Sequence, residues 1–230
     1  MRKSIFILAA LLFAGYISAE VIHIPGDYPT IQQGIDAANA GDIVMVAPGT
    51  YIEEITLKAN VDVIGAGEEL SIIDGGGDQG DVVTAIGVGI TNDTKFQGFT
   101  VTGANYGGMP GGGGIFCNMS ASPEIRNNRV EGNSSGIATW NGSNPYIHNN
   151  VIIDNTYTGI SISSDPDIIN NTIANNNNGI YDSGGYKPII MNNIVTGNSN
   201  IGMGCVNSSV PTDFSYNDVW GNGQNYYNCS

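Results

Sequence analysis

Residues 123–133 read PEIRNNRVEGN, and the pattern returns as PYIHNNVIIDN (145–155), PDIINNTIANN (166–176), PIIMNNIVTGN (188–198) and PTDFSYNDVWGN (211–222). The opening prolines are 22, 21, 22 and 23 residues apart, and another asparagine follows the second of each pair five residues later. A period near 22, with β-branched residues at alternate positions and no heptads, is too short for paired helices and fits a coiled stack of parallel strands. A polar low-complexity linker does not fit, because the apolar positions keep phase with the asparagines through five copies.

Strand alternation places Ile125, Ile147, Ile168, Ile190 and Phe214 inward. It extends that inward side to Asn127, Asn149, Asn170 and Asn192. The next residue, Asn128, Asn150, Asn171, Asn193 or Asn217, is then expected at the sharp bend, where asparagine tolerates positive φ. Val130, Ile152, Ile173, Val195 and Val219 return to the core. A buried amide is costly unless paired. Stacked at about 4.8 Å, the asparagines are expected to form a side-chain ladder. In the last copy Tyr216 stands where the inner asparagine is expected, which predicts a looser register there.

The 230-residue chain has a formal net charge of -14, with 33 glycines and 12% charged residues. Residues 1–19 read as a signal peptide: Arg2 and Lys3, an apolar run from Ile5 to Ala14, and Ser18–Ala19 as the exit. That run is too short to anchor in a bilayer, so no membrane span is expected in the mature chain. Without it, 5 basic residues face 21 acidic ones, near -16. Such a balance excludes nucleic acid and disfavours anionic polymers as electrostatically attracted partners. Of three cysteines, Cys117 and Cys205 fall at one inward position four coils apart, too far to bridge. Cys205 and Cys229 fall in neighbouring coils; free buried thiols are the expectation, with a bond between that pair as the alternative.

Residues 20–41 give a short strand at Val21–Ile24 and one helix. Thr30 is its N-cap, Ile31, Ile35 and Ala38 share a face, and Gly41 stops it. The helix is expected to cover the open end of the stack, which fills 42–230. The wording GDIVMVAPGTYIEEITL and VDVIGAGEELSIID, together with the asparagine repeats, resembles the right-handed parallel β-helix of the pectin-lyase-like superfamily, with its carbohydrate-binding and sugar-hydrolysis type repeat. The resemblance spans about 21–230. It implies an all-β right-handed parallel β-helix of three-strand coils with an N-terminal capping α-helix. It leaves activity open, because that superfamily hosts enzymes and binding proteins alike. FQGFTVTG (96–103) matches the repeat with Gly98 and Phe99 in the asparagine places, and Ala104–Gly114 bulges as a long loop. The C-terminal end has no capping sequence, so further coils beyond Ser230 are expected.

In relatives acting on uronic-acid polymers, substrate lies along the outer face of one strand column. The matching column here starts at Gly136, Gly159, Gly179 and Gly202, with Phe116, Ala138, Ser161, Tyr181 and Gly204 pointing out and Trp140 and Ser163 farther along. Tyr157 and, in the long loop, Tyr106 stand at the adjacent corner. Exposed aromatics on a rigid face stack on sugar rings, so Tyr106, Phe116, Trp140, Tyr157 and Tyr181 are the carbohydrate-binding candidates.

Catalytic candidates are sparse. The column offers no outward carboxylate pair for glycoside hydrolysis, and Asp182 falls at an inward or corner place. The signatures of polygalacturonases and pectin methylesterases are absent. For a lyase the candidates are Arg126, Arg129 and His148, and Lys95 aligns with Glu124 as a surface ion pair. No cofactor is expected; calcium is the one candidate cation, on Asp74, Asp78 and Asp81 of DGGGDQGD. These features predict a secreted, non-catalytic β-helix module that binds a polysaccharide or forms part of a larger extracellular protein. The alternative is a polysaccharide lyase or glycoside hydrolase of the same superfamily.

Overall fold

The computed structural model describes residues 19–77, 80–105, 113–206 and 213–229. Residues 1–18 of the signal-like segment, Tyr106 and Asp78 lie outside them. One coil is enough to explain the rest. Glu124–Arg126, Arg129–Glu131 and Ser135–Thr139 are three short strands. Each pairs in parallel with its equivalent in the next coil, Ile125 opposite Ile147, Val130 opposite Ile152 and Ile137 opposite Ile160. Repetition gives three parallel sheets. The first face has nine strands, from Val21–Ile24 to Asp213–Ser215. The second runs from Gly49–Ile52 to Asp218–Trp220 and the third from Ile55–Thr56 to Gln224–Tyr227, with eight strands each. The expected three-strand solenoid is therefore present, with a continuous core of Ile, Val and Phe along its axis.

The two asparagine columns exchange the places that strand alternation assigns them. Asn127, Asn149, Asn170 and Asn192 take the bend with φ of 52, 55, 58 and 56°, and their side chains are exposed. Asn128, Asn150, Asn171 and Asn193 are buried. A left-handed residue breaks the two-residue alternation, so the side chain after it returns inward. Each buried carboxamide is then fully used. Asn150 donates through Nδ2 to Asn171 Oδ1 (3.0 Å) and to the carbonyl of Ile125 (3.0 Å), while its Oδ1 accepts from the backbone N–H and Nδ2 of Asn128. The ladder begins where Asn128 Oδ1 accepts from Phe99 N, with Phe99 stacked on Phe96 at 4.9 Å. It runs on through Asn193 to Asn217 Oδ1 (3.0 Å). Tyr216 has the bend conformation (φ 58°) and is 81% exposed, so it replaces an outer asparagine and the ladder does not loosen.

A second ladder lies five residues on. Asn133, Asn155, Asn176 and Asn198 are buried, and each Nδ2 reaches the Oδ1 of the next, ending on Asn222 (2.8 Å). The same device makes it: Gly132, Asp154, Asn175, Gly197 and Gly221, each just before a ladder asparagine, have positive φ.

The capping helix, α1, spans Ile31–Ala37 with Thr30 as N-cap, its Oγ1 accepting from Gln33 N. It packs on Val21–Ile24, Ile43–Val46 and Ile55–Thr56, as expected of a lid over the first coil. Glu53 accepts from the N–H groups of Ile31 and Gln32 at its start, and Lys58 Nζ donates to the carbonyls of Asp36 and Ala38 at its end. One segment of the first coil thus satisfies orphan groups at both helix termini.

Two further expectations are corrected. Cys205 and Cys229 form a disulfide, with Cα atoms 5.1 Å apart, rather than free thiols. Gly204 is opposite Tyr227, and Asn228 (φ 55°) turns Cys229 back toward Cys205, the bend device once more. Lys95 pairs with Asp62 (3.3 Å), not with its register partner Glu124. Cys117 is free and buried, its thiol pushed up to about 12 by burial and the nearby Asp81, which makes it an inert filler.

These roles predict opposite outcomes for adjacent asparagines. Asn171→Leu strands buried partners on both sides and is expected to cost about 3 kcal/mol or more in urea unfolding. Asn170→Gly is expected to stay within about 1 kcal/mol of the parent, since glycine takes the left-handed bend freely. Equal losses would contradict the inner and outer assignment. Cys205→Ser is expected to cost about 2–4 kcal/mol, with faster amide exchange concentrated in Gln224–Tyr227.

Candidate functional site

The third face carries the groove, and the second asparagine ladder shapes it. Gly136, Gly159 and Gly179 are the second residues of successive strands of this face, Ser135–Thr139, Thr158–Ile162 and Asn178–Asp182. A Cβ on Gly159 would lie 2.6 Å from Ile173 Cγ2, 2.8 Å from Gly179 O and 2.9 Å from Asn176 Nδ2. The glycines therefore point inward against the ladder, and the next residues, Ile137, Ile160 and Ile180, are buried as well. Two consecutive inward residues shift the outward positions. Thr158, Ser161 and Ser163 line the outer side in one coil and Asn178, Tyr181 and Ser183 in the next, with Thr158, Ser161 and Asn178 buried at its floor.

Across these columns runs a cavity of 380 Å³. Trp140, Tyr157 and Tyr181, from three successive coils, supply its aromatic walls, and Ser161 and Ser163 lie on the coil between Trp140 and Tyr181. Asn178, Asn200 and Ile201 continue it toward the C-terminal side. Ser163 and Ser183 hydroxyls are 2.8 Å apart, and Asn200 Nδ2 donates to Asn178 Oδ1 at 2.9 Å. Phe116 packs edge-on against Trp140, ring centroids 5.8 Å apart, and steadies it from the preceding coil. Burial, with Tyr227, Tyr157 and Asp182 nearby, raises the Tyr181 phenol, which stays neutral.

Three of the five aromatic candidates thus meet in one groove and Phe116 supports it; Tyr106 is outside the described residues. Sequence reasoning missed Thr158, Asn178, Ser183, Asn200 and Ile201. The signal for them was the column register: each sits one or two coils from a chosen residue at an outward position.

The other candidates lie on different faces. Arg126 and His148 are adjacent in register on the first face and share one carboxylate, Glu124 Oε1, at 3.3 and 2.9 Å. Arg126 Nε also donates to Gln97, and His148 stacks on Tyr146 at 4.1 Å. Arg129 is round the bend on the second face, paired with Glu131 at 2.6 Å. The cluster is self-neutralised and separated from the groove. Asp182 Oδ1 accepts from the N–H groups of Gly184 and Gly185, and so anchors a turn.

Of the cation candidates, Asp74 Oδ1 accepts from Gly76 N and Asp81 Oδ1 from Gly113 N (2.6 Å). Among the described residues no group of three His, Cys, Asp or Glu is placed to hold a metal. None of the described groove residues carries a carboxylate or a cation. The arrangement suits stacking and neutral hydrogen bonding, and provides no acid–base pair.

Asp81 gives a pH prediction. Burial raises its carboxyl from 3.8 to about 6, with Glu54 adding to the rise and the Gly113 N–H opposing it. The folded state therefore binds the proton more tightly, so Asp81's contribution is present below pH 3.8 and is lost as pH rises toward about 6. Asp81→Asn retains an acceptor for Gly113. It is expected to flatten thermal stability across that window and to raise the unfolding midpoint at neutral pH; an unchanged profile would contradict the assignment.

A family profile described as "Right handed beta helix region" matches residues 79–224. A comparison with curated proteins found no match. No helix among the described residues is long and apolar enough to cross a membrane. With more than half its length matched and its three parallel sheets in register from coil to coil, the chain belongs to the right-handed β-helix family.

Proposed function

We propose that this chain is a secreted, non-catalytic β-helix module that binds a polysaccharide in the groove of the third face. One observation carries the reading: Trp140, Tyr157 and Tyr181, supplied by three coils, line a single cavity whose other described residues are neutral. Rigid strands hold the rings, so little entropy is lost on stacking against the apolar face of a sugar. The basic and apolar start of the sequence supports export, and the Cys205–Cys229 disulfide fits an oxidising compartment.

A second reading, a polysaccharide lyase, is favoured only by the Arg126, Glu124 and His148 cluster, where an arginine and an imidazole meet on the first face. Against it, the guanidinium and the imidazole are both already engaged by Glu124.

The two readings part in one experiment. The mature protein is run through native gels containing single polysaccharides, and the same mixtures are assayed for new reducing or unsaturated ends. Retardation without new ends is expected. Trp140→Ala and Tyr181→Ala are each expected to weaken binding about tenfold or more, the loss that follows from unburying one aromatic side chain. New ends that vanish on changing Arg126 or His148 would replace the binding reading with the lyase.

A further inference from the structure

Resting on the groove reading above, we infer that the ligand is a neutral glycan and that the groove rejects uronic-acid polymers. The lining presents hydroxyls and carboxamides: Thr158, Ser161, Ser163 and Ser183, with Asn178 and Asn200. Each of these groups both donates and accepts, as does a sugar hydroxyl. An ionised carboxylate only accepts, and its desolvation must be offset by a cation or several convergent donors.

No cation of the described chain is placed to do this. Lys58 is held on the carbonyls of Asp36 and Ala38 at the helix. Lys95 and Arg126 are paired on the first face and Arg129 on the second. Lys187 follows the third-face strand Asn178–Asp182 but comes after the turn anchored by Asp182 and is not part of the lining. Around the groove the whole molecule is acidic, 21 carboxylates against 7 basic residues, and its field opposes the approach of a polyanion.

The geometry also limits the ligand to a slim chain. Trp140 and Tyr181 stand two coils apart, about 9.6 Å across the strands, and two residues apart along them, about 6.6 Å, so the line between them crosses the coils diagonally. A sugar ring stacks on one of these aromatics at a time, and a chain that reaches both runs along that diagonal. Between them Ser161 and Ser163 keep the floor low. Gly204 holds the far wall back: a Cβ there would lie 2.6 Å from Tyr181 Cδ2 and 2.9 Å from Cε2, so the ring rests on the glycine of the next coil. An unbranched neutral hexose chain matches the low floor and the polarity.

The test is calorimetric titration of the mature protein with cellohexaose, mannohexaose and hexagalacturonate, each at low and high salt. At least one neutral hexamer is expected to bind with an affinity indifferent to salt, and hexagalacturonate at least about tenfold more weakly at both salts. Tyr181→Ala is expected to weaken the neutral ligand about tenfold with its thermal midpoint retained. Ser163→Lys places a cation in the groove and is expected to gain about tenfold in hexagalacturonate affinity at low salt and to lose that gain at high salt. Hexagalacturonate binding as tightly as the neutral hexamers and depending on Tyr181 would overturn the inferred selectivity while leaving glycan binding in place. So would the absence of any gain in Ser163→Lys. Wild-type protein that binds none of these hexamers and is not retarded by any polysaccharide would overturn the glycan reading itself.

Discussion

The side-chain carboxamide stack is the interaction on which this molecule depends. In each coil from residue 123 onward the chain must turn sharply at two corners and still leave the polar groups there paired beside a core of Ile and Val. Asparagine answers both demands with two adjacent residues or with a glycine, aspartate or asparagine followed by asparagine. The first adopts positive φ at the corner and the second points inward, where its amide bonds the coil before and the coil after. Because each rung takes part in two coils, the ladders fix their register as well as their spacing. Strand pairing alone would permit a slip, and a slip by one residue turns every side chain to the other face.

The same constraint sets the surface. The second ladder needs glycine near the start of the third-face strands beside it, at Gly136, Gly159, Gly179 and Gly202, since a Cβ there meets the amide of the ladder and the backbone of the next coil. That glycine forces two successive inward residues and so decides which side chains face out. Trp140, Ser161, Ser163 and Tyr181 are placed by it. The aromatic groove is thus a consequence of how the coil closes at its neighbouring corner, and its rigidity comes from the same amide network.

Much of this was legible in the repeat. The period, the inward Ile and Val columns, the capping helix and the outward register of Phe116, Ala138, Ser161, Tyr181 and Gly204 follow from alternation and spacing. What alternation could not supply was its own interruption. A single left-handed residue reverses the parity, which exchanges the roles of Asn127 and Asn128, makes Tyr216 an outer residue of the bend, and turns Cys229 toward Cys205 to bond. Lys95 had a partner in each neighbouring coil, Asp62 and Glu124, and Glu124 was already engaged by Arg126 and His148. The breadth of the groove escaped for a different reason: Asn178, Asn200 and Ile201 are brought to Tyr157 by stacking of coils, which no local window of sequence reveals.

The claim that the third-face groove holds the ligand can be read from a single side chain. The protein has two tryptophans, Trp140 in the groove and Trp220 on the second face. In a Trp220→Phe variant all tryptophan emission comes from Trp140. Titration with a bound neutral oligosaccharide is predicted to give a saturable change in its intensity and wavelength, with the same midpoint as binding measured independently. Binding that leaves Trp140 emission unchanged would place the ligand elsewhere and contradict the account.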